Sequence, residues 1–169
     1  GQGTIPFVAS VSFLNAPTID STLVMLALSM PPRALSFQRE GDRYYAEYSV
    51  RVEVRRGATI TTQAESREVV RVPTFREMSR TDESVIFQQF LRLAPGRYSL
   101  AIAIKDESGV RNASEEVTLD VPALSPGALS TPIAVYEAIP RSSTDSVPRI
   151  LARPRSTATF GGDSLFPLY

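Results

Sequence analysis

The clearest hydrophobic pattern in the chain runs from Tyr44 to Arg55. The even positions carry apolar or aromatic side chains, whereas the odd positions are polar or charged except for Tyr45. A period of two over this length is typical of a β-strand with one buried face. The pattern therefore predicts which side chains are buried (Tyr44, Tyr48, Val50 and Val52) and which are exposed (Glu47, Arg51 and Glu53).

A second strand is predicted directly after the sequence Leu93-Ala94-Pro95-Gly96-Arg97-Tyr98. Proline fixes its own φ and glycine tolerates a positive φ, so Pro95 and Gly96 suit the centre of a type II turn. A tyrosine just after such a turn resembles the tyrosine corner of immunoglobulin-like sandwiches. Pro95, Gly96 and Tyr98 are therefore predicted to form a structural corner in which the buried Tyr98 hydroxyl bonds to the preceding backbone.

Further strand-like segments recur along the chain at regular intervals. They cover residues 22–30, 59–72 (as one or two strands), 84–93 and 115–121, with a short strand at 34–39 and a turn of helix within 75–83. In the segment 84–93, Ile86 and Phe90 lie on the face opposite Phe87 and Leu91, so this strand is expected to be covered on both sides. The spacing predicts an all-β fold, an immunoglobulin-like antiparallel β-sandwich of about seven strands.

The predicted sandwich occupies residues 22–122 and leaves a segment at each end. Residues 1–21 hold scattered apolar side chains between prolines and are interpreted as an extended N-terminal arm with at most one short edge strand. Residues 123–169 are rich in proline, serine and threonine and are interpreted as a C-terminal tail with little core of its own. Only residues 133–139 of this tail have the pattern of an edge strand.

The tail combines basic and aromatic residues in an order that suggests contact with a partner. Four arginines precede an apolar end, which gives the predicted partner-binding residues Arg141, Arg149, Arg153, Arg155, Phe160, Phe166 and Tyr169. Arginine and aromatic side chains are typical of protein interfaces, and basic segments also bind anionic membrane surfaces. We therefore expect the tail to lie on other protein subunits or on anionic lipid headgroups.

The composition of the chain excludes the commonest catalytic side chains. The chain of 169 residues contains no histidine and no cysteine, which excludes the commonest general base, thiol nucleophiles and thiolate metal sites. Its formal net charge is zero, so bulk charge does not favour nucleic acid as a partner. No apolar run approaches the roughly 20 residues of a membrane-spanning helix. No catalytic, cofactor-binding or metal-binding residue is therefore predicted.

Two ligand-binding alternatives remain open at this point. Asp106, Glu107 and Asn112 share one predicted loop, and oxygen ligands of this kind can bind Ca²⁺. A glycan would be bound by exposed aromatic side chains on a sheet face, where Tyr45 is the one aromatic residue on the outward positions of its strand. Both patterns also occur in ordinary solvated loops and strands.

Residues 34–121 contain an ordered set of segments that suggests a family. The set comprises Ala34-Leu35-Ser36-Phe37, Tyr44-Tyr45-Ala46-Glu47-Tyr48-Ser49-Val50, Glu83-Ser84-Val85-Ile86-Phe87-Gln88-Gln89, Leu93-Ala94-Pro95-Gly96-Arg97-Tyr98-Ser99-Leu100 and Lys105-Asp106. It resembles the β-sandwich module of GWxTD-domain proteins of the bacterial envelope. The chain has no tryptophan, so the name-giving motif is absent and the resemblance covers the sandwich alone. It implies an exported protein, periplasmic or peripheral to the envelope membrane, with a binding or structural role.

Together these observations predict a non-enzymatic protein. The expected function is that of a structural accessory subunit that stabilises or tethers a larger envelope or membrane protein complex, of which a photosynthetic reaction-centre and light-harvesting complex is one candidate. The alternative is a ligand- or glycan-binding β-sandwich module of the cell envelope.

Overall fold

The structure is a computed structural model that describes residues 4–18, 20–78 and 82–124, together with the backbone of four short strands beyond residue 124. Eight strands make up the main body: β1 (Val8–Asn15), β2 (Thr22–Met30), β3 (Gln38–Glu40), β4 (Arg43–Arg56), β5 (Thr59–Val72), β6 (Val85–Leu93), β7 (Gly96–Asp106) and β8 (Asn112–Val121). A 3-10 turn (Pro32–Ala34) and a short helix α1 (Phe75–Met78) lie between strands. The four later strands are β9 (Ala134–Glu137), β10 (Leu151–Ala152), β11 (Ala158–Phe160) and β12 (Asp163–Leu165).

The strands form two antiparallel sheets of five strands each, and β11 pairs with β12 in a separate two-stranded sheet. The first sheet has the order β10-β9-β1-β2-β6. In the second sheet β4 pairs with β5 on one side and with β3 and β7 on the other, and β8 follows β7. In immunoglobulin lettering, β1, β2 and β6 take the places of strands A, B and E, and β4, β7 and β8 those of C, F and G. The predicted immunoglobulin-like sandwich is confirmed, with eight strands rather than seven.

The core lies between the two sheets and follows the predicted register. Tyr48, Val50 and Val52 of β4 are buried against the inward side chains of the neighbouring strands, which include Leu100, Ile102 and Val117. Tyr44 is half-buried at the end of β4, and Glu47 and Glu53 are half-buried rather than exposed, whereas Arg51 is exposed as expected. The alternation along β4 therefore predicts the face of each residue correctly.

The N-terminal segment is not an extended arm, which corrects the interpretation of residues 1–21. Strand β1 pairs with β2 along its whole length, from Val8 opposite Ser29 to Asn15 opposite Thr22. Ile5, Phe7 and Val11 are buried in the common core, each at most 4% exposed. The odd positions 5–13 are apolar and face inward, and this alternation is obscured by small and apolar residues on the other face.

Several boundaries differ from the prediction. The expected strand at 34–39 is mostly the 3-10 turn and a bend, and β3 covers only Gln38–Glu40. Residues 59–72 form a single strand, and β8 begins at Asn112, inside the predicted loop. In the predicted tail, β9 pairs with β1, so the first sheet extends beyond residue 122.

The predicted tyrosine corner has the expected hydrogen bond. The Tyr98 hydroxyl donates to the Ala94 carbonyl oxygen at 2.7 Å, and Tyr98 is buried. Arg56 lies over the Tyr98 ring, 5.2 Å from its centroid, and donates to the Pro95 carbonyl. Gly96 has a φ of +149°, whereas the third residue of a type II turn needs about +80°. The turn is therefore a bend that leads directly into β7, not a type II turn.

Replacing Tyr98 with phenylalanine should lower the free energy of unfolding by about 1–2 kcal/mol, because the Ala94 carbonyl loses its donor inside the protein. The ring, its burial and the contact with Arg56 remain, so the substitution isolates the hydroxyl. Urea denaturation of the two proteins measures the difference. An unchanged midpoint would show that this hydrogen bond contributes nothing to the corner.

Within the residues that the structure describes, no helix has both the length and the apolar character needed to span a membrane.

Candidate interaction surface

The outer face of the second sheet, which carries β4, β5, β7 and β8, is mostly charged and paired within itself, and its exposed large apolar side chains, Ile60 and Val69, lie on the edge strand β5. The Arg97 guanidinium contacts the Asp120 carboxylate at 2.8 Å, and its hydrogen bond lowers the pKa of Asp120. Glu107 accepts a hydrogen bond from Ser49, which together with Lys105 lowers the pKa of Glu107. Such exposed pairs add little stability and are typical of a solvated surface.

The outer face of the first sheet has the opposite character. Strand register places Met25 between Ser12 of β1 and Phe90 of β6, and places Leu14 opposite Leu23. Leu14 is 40% exposed and Phe90 50% exposed. We define the apolar outer face as the outward side chains of β1, β2 and β6 that are large and apolar: Val8, Leu14, Leu23, Met25, Ile86 and Phe90.

The centre of this face is made of small side chains. Ser10 and Ala27 lie opposite each other, and both are 2% exposed although they point away from the core between the sheets. Exposed Gln88 and Arg92 of β6 lie at the polar margin of the face. An antiparallel sheet that faces water on one side normally alternates apolar and polar residues, whereas a sheet with two apolar faces is typically covered on both. The apolar outer face therefore has the composition of a contact surface.

A groove of about 350 Å³ lies between the two sheets at the side bounded by β5 and β6. Its lining includes Tyr48, Glu68, Val70 and Val85. Tyr48 is only 2% exposed, and burial, followed by the charge of Glu68, raises the pKa of its phenol to about 12. Glu68 accepts a hydrogen bond from the Ser66 hydroxyl at 2.7 Å. Because the phenol stays protonated, it can donate a hydrogen bond but cannot act as a base near neutral pH.

The loop considered for Ca²⁺ uses its central carboxylate for another purpose. Asp106 is fully buried, and its two carboxylate oxygens accept hydrogen bonds from the backbone N–H groups of Ser36, at 2.9 Å, and Ser108, at 3.3 Å. Among residues 4–18, 20–78 and 82–124, no group of three or more acidic, histidine or cysteine side chains is placed to hold a metal ion. Asp106 is therefore placed as a structural residue that joins two loops.

The aromatic residue considered for glycan binding is also engaged. The Tyr45 hydroxyl lies 2.9 Å from the Gln38 side-chain oxygen and donates a hydrogen bond to it, and Tyr45 is half-buried. The outward positions of the paired strand β7, from Arg97 to Lys105, carry no aromatic side chain. A single, half-buried tyrosine offers little of the stacking surface that a sugar ring requires.

The structure brings some predicted residues together and leaves others undescribed. Pro95, Gly96 and Tyr98 form the corner at the start of β7. Six predicted tail residues lie outside the described residues (Arg141, Arg149, Arg153, Arg155, Phe166 and Tyr169). Phe160 ends β11, where only the backbone is described. The predicted contacts of the tail therefore stay predictions.

The apolar outer face was only partly visible in the sequence. Ile86 and Phe90 indicate a second apolar face for β6, but the expected cover on both sides is wrong, because Phe90 is 50% exposed. Leu14, Leu23 and Met25 belong to two other strands. The dense apolar run of residues 22–30 is the signal for Leu23 and Met25, because a strand with two apolar faces does not alternate.

Comparison with known proteins adds no relative: no protein-family model, no curated protein and no solved structure matches the chain. The likeness to the sandwich of GWxTD-domain proteins therefore stays a prediction. The character of the described surfaces is what remains to indicate a function.

Proposed function

We propose that the chain is a non-catalytic accessory subunit that docks onto a larger protein assembly through the apolar outer face of β1, β2 and β6. The contrast between the two sheets carries this proposal: one outer face is charged and internally paired, whereas the other presents Leu14, Met25 and Phe90. Large apolar side chains that are exposed together on one face of a folded domain mark an interaction site.

The arrangement suits a protein partner with its own apolar patch. Fully burying one large apolar side chain is worth about 1.5–3 kcal/mol, so covering Phe90, Leu14 and their half-buried neighbours is enough for a stable contact once the cost of association is met. Arg92 and Gln88 at the margin match the polar rim that surrounds most interface cores.

The place of the assembly in the cell rests on the resemblance stated above. A GWxTD-like sandwich belongs to the bacterial envelope, so the host is proposed to be an envelope or membrane protein complex, with a photosynthetic reaction-centre and light-harvesting complex as one candidate. The chain then lies in the periplasm or at the envelope membrane. The arginines and aromatic residues of the tail are proposed to add contacts with subunits or lipid headgroups.

Replacing Phe90 with glutamate should weaken assembly at least about tenfold, because a charge would have to be desolvated inside the contact. Phe90 is 50% exposed, so the melting temperature should change little. An affinity-tagged chain expressed in its own bacterium, with co-purified subunits quantified by mass spectrometry, measures the effect. The matched control is Thr118→Glu, an exposed outward position of β8 on the charged sheet. Equal recovery with both variants would refute docking through this face.

Deleting residues 141–169 should leave the sandwich folded, because β1 to β8 contain its described core. The same deletion is expected to reduce co-purification of the assembly through the loss of the arginines and aromatic residues of the tail. Thermal unfolding and co-purification of the truncated chain test the two statements separately. Undiminished assembly would remove the tail from the proposal without affecting the apolar outer face.

The alternative function is that of a ligand-binding module, and the groove between β5 and β6 is the observation that favours it. Its polar groups, the Tyr48 phenol and the Glu68 carboxylate, suit a small ligand with hydrogen-bond donors and acceptors. A Glu68→Gln variant that assembles normally but loses binding to such a ligand would favour this function over the subunit.

A further inference from the structure

Strand β5 forms a long open edge of the second sheet. It runs from Thr59 to Val72 and pairs with β4 on one side, while no strand within the described part of the chain pairs with its other side. None of its residues is buried, and Ile60 and Val69 are 45% and 42% exposed. A long edge of this kind exposes backbone N–H and C=O groups that can pair with another strand.

The edge lacks most of the features that prevent such pairing. It contains no proline, and its one irregularity, opposite Val54 and Arg55, lies near the hairpin end. What it carries is charge: Glu65, Arg67 and Arg71 point outward, and Glu68 points inward. The order of these charges decides which strand can pair with it.

A second copy of β5 is a partner whose sequence is known. Suppose that two copies pair antiparallel about a two-fold axis between the strands. Their inward side chains then lie on the same face of the joined sheet only when one residue is directly opposite its own copy, and the register is named by that residue. An axis at Glu65, Arg67 or Glu68 sets that residue opposite its own copy, which places like charges in contact. An axis at Val69 sets Arg67 opposite Arg71.

The register centred on Ser66 places opposite charges, rather than like charges, across from each other. It sets Glu65 opposite Arg67 of the second copy, and the symmetry repeats the pair. It places Glu68 opposite the small Ala64 of the second copy, so the inward charge meets no like charge. It also pairs almost the whole strand, from Ile60 to Val72, because Ser66 lies near the middle of β5.

Both charged residues are available for this contact. The Glu65 and Arg67 side chains are 63% and 66% exposed. Among the described residues of one chain they form only long ion pairs, Glu65 with Arg51 at 3.5 Å and Arg67 with Glu107 at 3.6 Å. A carboxylate and a guanidinium that are exposed on an open edge can add a cross-strand partner without breaking a buried interaction.

We propose that two copies of this chain pair antiparallel along β5, with the two-fold axis at Ser66, and so form one continuous sheet across a homodimer. This contact uses the edge of the second sheet and is separate from the apolar outer face of the first sheet. The dimer therefore leaves that face free for a different partner.

Cysteine cross-linking tests the register, because the chain has no cysteine of its own. In Ser66→Cys the two sulfur-bearing residues are directly opposite, at a Cα separation of about 4.5–5.5 Å that permits a disulfide. The matched control is Thr62→Cys, which is half-buried on the same face but lies roughly 26 Å from its own copy, at about 3.3 Å per residue. Mild oxidation of the full chain should cross-link the first variant and not the second. Equal cross-linking of both variants, or none, would overturn the proposed register.

Charge exchange tests the pairing without a covalent bond. Analytical ultracentrifugation of the full chain should show a dimer, and Glu65→Arg should raise its dissociation constant at least about tenfold by creating two Arg–Arg contacts. The double exchange Glu65→Arg with Arg67→Glu should restore the dimer. Glu116→Arg, the same change on exposed β8, should leave it intact, and circular dichroism verifies that each variant is folded.

Three results would overturn the proposal. The first is that the wild-type chain stays a monomer at the highest attainable concentration. The second is that the double exchange fails to restore dimerisation although the protein is folded. The third is that Phe90→Glu, rather than Glu65→Arg, dissociates the dimer. The last would place the interface on the apolar outer face instead. Failure of the co-purification test for Phe90, by contrast, leaves the β5 dimer unaffected.

Discussion

Replacing Phe7 with alanine is expected to lower the free energy of unfolding by about 3–5 kcal/mol. Phe7 is 4% exposed and belongs to the core that lies between the two sheets, together with Ile5 and Val11. Removing its ring costs the transfer free energy of the lost atoms and leaves a cavity that the two sheets can close only in part. The loss is large compared with the 5–15 kcal/mol that stabilises a typical domain. Urea denaturation followed by circular dichroism measures it.

The matched control is Phe75→Ala. Phe75 begins α1, is 70% exposed and makes an edge-on contact with Tyr44 at a centroid distance of 6.3 Å. Its replacement should cost about 1 kcal/mol or less, the value of an exposed aromatic pair. If residues 1–21 were an extended arm, both substitutions would have similar small effects. A cost for Phe7→Ala no greater than that for Phe75→Ala would therefore contradict the position of β1 in the core.

Strands with one solvated face could be predicted well from the sequence. In β4 the alternation of Tyr48, Val50 and Val52 with Glu47 and Arg51 defines both the strand and its register. The outer face of the second sheet meets water, so the polar residues there supply the contrast that makes the period of two visible. The tyrosine corner could be predicted because Pro95, Gly96 and Tyr98 are consecutive or nearly so in sequence.

Strand β1 could not be predicted in the same way. Its inward residues, such as Ala9 and Val11, alternate with Ser10 and Ser12, which are also buried. The outward positions of β1 hold small or apolar side chains and no charged residue, so its pattern is weak and Pro6 weakens it further. An apolar outward face likewise removes the alternation from β2.

The candidate site depended on contacts between distant segments. Leu14, Met25 and Phe90 become neighbours only through the pairing of β1 with β2 and of β2 with β6. The pattern within each strand shows that a second face is apolar, but it does not show which strands are adjacent. The complementary charges of β5, by contrast, lie within one segment, and the structure adds the observation that this segment is an open edge.

Asp106 is a single residue whose contacts with a distant segment could not be predicted from the sequence. In the sequence it is one of several acidic residues in a polar loop and a candidate calcium ligand. In the structure it is fully buried and accepts hydrogen bonds from the backbone of Ser36 and Ser108. Ser36 precedes it by 70 positions, so no local pattern could reveal the contact.

Replacing Asp106 with alanine is expected to lower the free energy of unfolding by about 2–4 kcal/mol. The substitution removes both acceptors, and a buried N–H group without an acceptor costs about 1–3 kcal/mol. Because Ser36 is half-buried, water can satisfy part of its lost bond, which keeps the expected cost below the sum of two full penalties. Asp106→Asn retains one carbonyl oxygen and should cost less than the alanine variant. Thermal and urea denaturation of the three proteins give the comparison.

The same measurements distinguish a structural carboxylate from a calcium ligand. A ligand that binds only the folded state raises its stability with concentration, so a calcium site would make the melting temperature rise with added Ca²⁺. Since the Asp106 carboxylate is already used by two backbone N–H groups, we expect no such rise in the wild-type protein. The loss of stability in Asp106→Ala, about 2–4 kcal/mol, should be the same at every Ca²⁺ concentration. Stabilisation by Ca²⁺ that disappears in Asp106→Ala would contradict the structural role. A cost of less than about 1 kcal/mol would show that the two hydrogen bonds do not hold the Ser36 loop against the β7–β8 hairpin.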